Sequence, residues 1–585
     1  MDFLRNVLST IIGVFLSFMI IFLMFLLFAA IAGSGSQQRV IVKDNSVLKL
    51  SFNEPLQDYG GTFSFKKFNY SYVDYNGLNH VLNAIEAAKT DDKIKGISIN
   101  TLGLSAGMAQ IQALRKALID FKSSGKFIYA YGDIYLQKDY YLATVADSIF
   151  LNPVGEINFR GLSSEILYYK DFQEKSGIKA EVVRHGKFKS AVEPYLANEM
   201  SDANRLQISE LLGSLWSQML TDMSESRNIS VETLNTIADS LGGSTSAKAL
   251  ANKLVDRRIY ADEYRKLIQS SSSEDFKYIP VKRYAEYVHG KMATKKDADN
   301  IAVIFAQGEI AYGEGSNKKI GQGIMIKAFK EAREDETVKA VVLRVDSPGG
   351  SALASDIIWR EVQITNEVKP VIVSMGDLAA SGGYYIAMGG QKIFAEPTTI
   401  TGSIGVFGLL PNFQELANRI GINAEQVSTN KQSVGYSPFE PMSSSVYTEI
   451  EEGIEETYDI FLQRVADNRN LTKAEVDSIA QGRVWSGFQA KQKGLVDELG
   501  GLNDAIEAAA EIAELSDYNT LAFPEYTTDL DDVLSRFNAI PGLKSSQEII
   551  KEEIGAETYE IIQRIKTLSQ QKGIQARLPF ELKIY

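Results

Sequence analysis

The 585-residue sequence contains no cysteine and only three histidines, His80, His185 and His289. Without cysteine, disulfide frameworks, zinc–thiolate sites and cysteine nucleophiles are excluded, although no compartment follows from that absence. A sustained basic stretch is also missing. The charge balance of 61 − 74 = −13 argues against a nucleic-acid partner, which would be met by a basic face. No metal-ligand cluster and no nucleotide-binding loop stand out, so no cofactor is expected. "GSGSQQ" (33 to 38) lacks the strand that must precede a dinucleotide fingerprint and is expected to be a flexible tether. Beyond the first forty residues, no segment is long and apolar enough to span a bilayer.

Within those forty residues the opposite holds. No charge occurs from Asn6 to Gln38, and "IIGVFLSFMIIFLMFLLFAAIA" (11 to 32) is long enough to cross a bilayer as a helix. The apolar core of a cleaved signal peptide is shorter, about 7 to 15 residues. Ala30-Ile31-Ala32 does resemble a cleavage site, which leaves removal open. Arg5 on one side and Arg39 and Lys43 on the other leave orientation undecided by charge. The chain as a whole is 45% hydrophobic and 23% charged, a globular composition. The length of 585 residues implies about three to five domains.

An internal repeat organises the soluble part. Shifted by 244 residues, "YGDIYLQKDYYLATVADSIFLNP" falls without a gap on "MGDLAASGGYYIAMGGQKIFAEP". Nine positions between 132 and 161 are identical to their counterparts: Gly132, Asp133, Tyr140, Tyr141, Ala143, Ile149, Phe150, Pro153 and Gly161. Chance would supply roughly two. Apolar strand-like runs such as "IAVIFA", "KAVVLRV" and "KPVIVSMG" alternate with helical stretches, which predicts an α/β fold with mainly parallel pairing. The expected layout is residues 1–38 as tail and anchor, 39–269 as the first repeat, and 270–300 as a polar linker. The second repeat takes 301–515, and a C-terminal extension takes 516–585, whose last segment "LPFELKIY" docks on a neighbour.

Ser381 follows two alanines and precedes two glycines, at a strand end where a helix begins. That placement offers backbone N–H groups and an unobstructed approach, as a nucleophile requires. Small residues for close packing would look the same. "LRVDSPGG" (343 to 350) ends a second strand in a turn with exposed N–H groups. The first copy has "INTLGLSA" there and Gln137 in place of Ser381, so it has lost both features together. For a proton acceptor, His80 and His289 lie in polar stretches expected to be solvated, and His185 lies beside a better candidate. Gln137 and Lys189 are 52 residues apart, as are Ser381 and Ser433. The first copy thus has a lysine without the serine, and the second the serine without the lysine. Lys189 could equally be an exposed basic residue beside Lys187. A free lysine titrates near 10.4, so a base role demands a drop of about three units through burial.

The ordered motifs "GKFKSAVEP", "DSPGG", "GDLAASGGYY" and "TGSIGV" resemble those of the signal peptide peptidase A family, peptidase family S49, in its long duplicated bacterial form. The resemblance spans nearly the whole chain. It implies two tandem repeats of the Clp-protease and crotonase-like fold behind one transmembrane helix, and a Ser/Lys endopeptidase. By that resemblance Ser381 is the nucleophile, Lys189 the general base, Ser403 a residue orienting the amine, and Gly350 an oxyanion donor. Gly382, at the helix start, is the geometric candidate for the second donor. Glu193 and Pro194 are taken as structural. The resemblance further implies peptide substrates such as released signal peptides, a homotetramer, and a single-pass protein of the bacterial inner membrane facing the periplasm. Two other classes remain at this stage: an acyl-CoA enzyme of the same fold, and a non-catalytic envelope scaffold.

Overall fold

Apolar runs that read without alternation become strands covered on both faces. The computed structural model describes residues 2–33, 40–52, 54–65, 68–273, 275–291, 298–528 and 574–578. Residues 1–43 and 44–585 form two separate compact units. The first is a single helix, Asp2–Gly33. Its side chains are described at Val7 and from residue 9 to 24, and Phe15, Phe18, Ile21 and Met24 are all exposed. Only 16 consecutive residues of that helix, 9 to 24, have described side chains, and among the described residues no helix is long and apolar enough to cross a membrane. Apart from Gly33, the expected "GSGSQQ" tether lies outside the described residues.

The second unit holds two mainly parallel sheets. The first runs Arg257–Arg258, Ser148–Ile157, Phe127–Tyr135, Ile94–Ile99, Ser46–Leu50, Lys277–Pro280, with every pairing parallel. The second runs Val484–Ser486, Ile400–Gly402, Val371–Ala380, Val338–Ser347, Asp299–Gln307, Tyr518–Phe523. The 244-residue shift is a structural register over this region. Helices Leu78–Thr90 and Gln322–Glu334 stand that distance apart, and each has 13 residues. In the latter, Met325, Ala328, Phe329 and Ala332 are buried at the i, i+3, i+4, i+7 spacing that gives a helix one apolar stripe.

The register still holds at helices Lys170–Ser176 and Gln414–Arg419, which start 244 residues apart, and fails at the strand that follows. The strand Lys179–Arg184 has no partner at 423–428, where the chain is an exposed loop, and Ser433 is exposed too. Ser433 is therefore not the structural counterpart of Lys189, and the shared 52-residue spacing does not reflect equivalent sites. Instead, Lys179–Arg184 crosses to the second repeat and pairs antiparallel with Phe407–Asn412. It closes a third sheet, ordered Lys319–Gly321, Glu309–Ala311, Gly349–Ser351, Gln575–Arg577, Phe407–Asn412, Lys179–Arg184.

Two expectations are corrected here. The stretch 270–300 is not simply a linker, because Lys277–Pro280 joins the first sheet beside Ser46–Leu50 and Val281–Lys291 is a helix. That helix buries Val281, Tyr284, Ala285 and Val288, an amphipathic stripe hidden in polar composition. His289 is exposed, as expected, whereas His80 is only partly exposed; the two rings pack edge-to-face at 5.5 Å with Tyr75 against both. Burial, and then the His289 neighbour, hold His80 down to about 4. Likewise, the extension begins with a working strand, since Tyr518–Phe523 pairs with Asp299–Gln307. Of "LPFELKIY", only Leu578 is described.

Buried polar contacts lock the repeats together. Arg344 on a central strand of the second sheet donates from Nε to Asp58 at 2.7 Å, with both side chains 2% exposed. Its Nη1 donates to Ser374 Oγ and Met375 O at 2.8 and 2.7 Å. Asp58 also accepts from Gln110 Nε2 at 2.9 Å. Asp377 accepts from the N–H groups of Ala109 and Gln110 at the start of helix Met108–Phe121, so a second-repeat carboxylate caps a first-repeat helix. Burial, then the Asp58 charge, push Asp377 up to about 6. Burial pushes Glu396 up to about 7, against the attraction of Arg344 and Lys116.

A carboxyl raised on folding stabilises below its unfolded pKa, and that contribution is lost as pH rises through the folded value. Glu396 therefore costs stability between about pH 4.5 and 7, on the order of 3 kcal/mol at the upper end. Glu396→Gln is expected to flatten the fall in denaturant stability across that window, with little change at pH 4. Chemical denaturation at a series of pH values checks this.

Candidate active site

The strand Val371–Ala380 ends one residue before Ser381, and the helix Gly382–Ala387 begins one residue after it. Ser381 sits at φ 56°, ψ −113°, an uncommon backbone state for a residue with a Cβ. Such strain costs about 1–3 kcal/mol and persists where surrounding structure fixes it. Here the Ser381 N–H donates to Gly402 O at 2.8 Å, and the neighbouring side chains are too small to interfere. Ser403 also has positive φ, 50°, with its N–H donating to Arg483 O at 2.6 Å. The "TGSIG" turn thus aims one serine hydroxyl where a cap would not.

Lys189 arrives from the first repeat, on the loop after Lys179–Arg184. Its Nζ lies 2.8 Å from Ser381 Oγ, 3.0 Å from Ser403 Oγ and 3.1 Å from Ser403 O. Both Lys189 and Ser381 are fully buried. Burial alone drives the Lys189 amine well below 10.5, with no opposing carboxylate attraction. A neutral amine has two N–H groups and one lone pair. Ser403 O and Ser403 Oγ can take the two N–H groups, which leaves the Ser381 hydroxyl to donate into the lone pair. Lys187, two residues before, is exposed, its Nζ 5.4 Å from the Phe188 ring centroid.

The loop carrying Lys189 is held by residues that sequence reasoning did not single out. Gln207 Nε2 donates to Phe188 O at 3.0 Å and to Ser190 Oγ at 2.8 Å, on both sides of the lysine. Ser190 Oγ donates to Asn204 Oδ1 at 2.8 Å. Gly482, at φ 81°, presses on the Lys189 backbone, where an added Cβ would meet Lys189 N at 2.6 Å. Nothing in a single sequence distinguishes this glycine from an ordinary turn. Gly482→Ala is expected to move Lys189 and lower kcat by about a hundredfold while the fold survives; steady-state kinetics with a circular-dichroism melt checks it. Glu193 accepts from Ser201 N–H and Oγ at 2.8 and 2.7 Å, securing the start of helix Asp202–Arg227.

The Gly349–Gly350 turn lies against the helix that follows Ser381: a methyl on Gly349 would come within 2.8 Å of Gly382 N. Gly349 and Gly350 have φ of 97° and 153°, and a Cβ at Gly350 would strike Ile310 O at 1.9 Å. Gly349, the neighbour of the expected donor Gly350, thus lies against Gly382, the residue that follows the serine. In the first repeat the equivalent space is filled. Gln137 Oε1 accepts from the N–H groups of Arg160 and Gly161 at 3.0 Å, and its Nε2 donates to Gly161 O at 2.9 Å. In the second repeat, Ser381 Oγ lies 3.3 Å from the corresponding Gly405 O. Among the described residues no group of three or more acidic or histidine side chains could hold a metal ion.

Comparison with known proteins agrees with this duplicated layout. The model of peptidase family S49 matches twice, over residues 120–273 and 363–516. Protease 4 of Salmonella typhi is 38% identical over 472 residues, 78% of this chain and 76% of its own. Protease 4 of Haemophilus influenzae is 37% identical over 74% of this chain and 72% of its own. The chloroplastic serine protease SPPA of Arabidopsis thaliana is 33% identical over 77% and 68% respectively. With two copies of the domain, and relatives this similar over most of both lengths, the chain belongs to peptidase family S49 and is a serine endopeptidase.

Proposed function

We propose that this endopeptidase works through a Ser381/Lys189 dyad assembled from its two repeats, each a Clp-protease- or crotonase-like unit. The contact of 2.8 Å between Lys189 Nζ and Ser381 Oγ, in full burial, carries the proposal. Ser381 Oγ attacks the peptide carbonyl carbon as Lys189 Nζ takes the hydroxyl proton. The carbonyl oxygen gains charge between the Gly350 and Gly382 N–H groups, which act before any reorganisation. Collapse breaks the C–N bond, and Lys189 returns its proton to the leaving amine. Water, deprotonated by Lys189, then attacks the acyl carbon; the bond to Ser381 Oγ breaks, and Oγ takes the proton back from Lys189 as the acid leaves. Ser403 keeps the amine in line by occupying its N–H groups.

We further propose that the helix Asp2–Gly33 anchors the enzyme in a bacterial inner membrane, with the second unit facing the periplasm. The exposed apolar side chains from Ile11 to Met24 support this. Residues 39–269 then form the base-bearing repeat and 301–515 the nucleophile-bearing repeat, joined through 270–300 and followed by 516–585. Extended apolar peptides, released signal peptides among them, are the substrates, and the working form is a homotetramer. An acyl-CoA enzyme would have no use for the contact of Ser381 with an uncharged amine. A fluorophosphonate probe followed by peptide mass mapping tests the dyad. The expected adduct lies on Ser381 and is lost in Lys189→Met; an adduct elsewhere, or equal labelling of both proteins, would refute it.

A further inference from the structure

The loop that carries Lys189 is fixed from the second repeat through one tyrosine. Tyr458, buried on helix Ser444–Arg469, donates from Oη to Asp477 Oδ1 at 2.6 Å and accepts from the Gln481 N–H at 3.2 Å. Burial first, and then the bond to Asp477, push its hydroxyl up, so it stays a donor. Gln481 Nε2 donates to the same Asp477 oxygen at 2.7 Å. Gln481 has φ 54°, a left-handed state that these contacts hold in place. Its carbonyl accepts from the Phe188 N–H at 2.8 Å, and its Oε1 accepts from the Lys187 N–H at 3.3 Å. The far end of the loop is thus tied to Tyr458 through Gln481.

The near end reaches the same ring directly. His185 stacks on Tyr458, with centroids 4.0 Å apart and planes at 30°. Glu455, one helical turn before Tyr458, brings its Oε1 to 2.6 Å from His185 Nδ1. A carboxylate only accepts, so His185 Nδ1 carries the proton. The His185 N–H donates to Val406 O at 3.2 Å. Between the two ends, Gly186 has φ 106°, and a Cβ there would meet Gln481 O at 2.6 Å. Loop and turn interlock: Gly186 lies on Gln481 as Gly482 lies on Lys189. Other charged groups at the loop include Arg184, whose Nη1 donates to Lys189 O at 3.3 Å, and the exposed Lys187. The Arg483 guanidinium lies 4.8 Å from the Phe188 ring centroid.

We propose that His185 is a positioning residue for the reaction: stacked on Tyr458 and held by Glu455, it clamps the loop so that Lys189 stays at Ser381 and away from water. The inference rests on Lys189 being the base. The clamp has two consequences that can be read separately. Alignment sets the rate once the amine is uncharged. Exclusion of water sets how much of the amine is uncharged at a given pH, because burial is what lowers it. Freeing the loop should slow the reaction and also let the amine return towards its ordinary value. A residue that served only the fold would not move that second quantity.

The test uses the full-length chain. Fluorophosphonate acylation of Ser381 is followed across pH, beside quenched-peptide kinetics and a melting curve. In His185→Ala, kcat should fall about tenfold with KM within about twofold, and the rising limb of acylation should move up by about one pH unit. His185→Phe keeps a ring over Tyr458 without the bond to Glu455, and should move the limb less. A folded His185→Ala protein with an unmoved limb would overturn the proposal, and so would a limb moved as far in His185→Phe. Should His185→Ala not fold, Glu455→Ala decides, since that side chain is exposed. A limb moved in the same direction supports the clamp, and an unmoved one refutes it. A limb that persists in Lys189→Met would bring down the dyad and the clamp with it. One lost in Lys189→Met but unmoved in His185→Ala removes the clamp alone.

Discussion

Ser381→Ala is expected to lower kcat/KM on a quenched peptide by about 10⁴-fold or more, and Lys189→Met by a similar factor. The two losses should not add. Each group is useless without the other, so the double variant should be no worse than either single one. Lys189→Arg should fail as completely, because a guanidinium keeps its proton at any working pH. Lys187→Ala should stay within about twofold of wild type, since its exposed amine meets neither serine. A structural role for Lys189 gives a different pattern. Burying an amine whose pKa falls on folding costs stability at every pH below about 10.5, and the cost grows as pH falls towards the folded value. Lys189→Met should therefore melt higher than wild type at pH 7 while being inactive. A melting curve beside each kinetic assay separates lost chemistry from lost fold.

The second large effect is expected at the contact between repeats. Asp58→Ala leaves Arg344 charged and buried against Ser374 and Met375, and should cost about 3–5 kcal/mol in denaturant unfolding at pH 7. Removing both partners, as Asp58→Ala with Arg344→Met, should recover part of that loss, because no uncompensated charge remains. Activity should fall with the single change as well. The lysine and the serine sit on opposite sides of this contact, and about 1 Å of misplacement can cost a hundredfold in rate.

Much of this arrangement was legible in the chain. The repeat gave the two sheets, because Gly132, Tyr140 and Tyr141 recur at Gly376, Tyr384 and Tyr385 without a gap and each pair shapes the same strand–helix turn. "GDLAASGGYY" told where a serine could stand free of neighbours. Other parts could not be read from the residues. The helix Val281–Lys291 has four apolar positions among charges, too few to lift its composition above that of a linker. The 52-residue spacing that paired Lys189 with Ser433 was misleading, since the strand Lys179–Arg184 leading to Lys189 has only an exposed loop at the matching positions 423–428. What brings Lys189 to Ser381 is the pairing of Lys179–Arg184 with Phe407–Asn412, a long-range contact with no local signature. Gln575–Arg577 is three residues long, and only its partners mark it as a strand.

The pH dependence of Ser381 acylation by a fluorophosphonate, followed in wild type and Lys189→Met, tests the account most directly. The rate in wild type should rise with pH through one ionisation well below 10.5 and then level off, and that limb should vanish in the variant. A wild-type limb at the ordinary lysine value, or an identical limb in Lys189→Met, would contradict it.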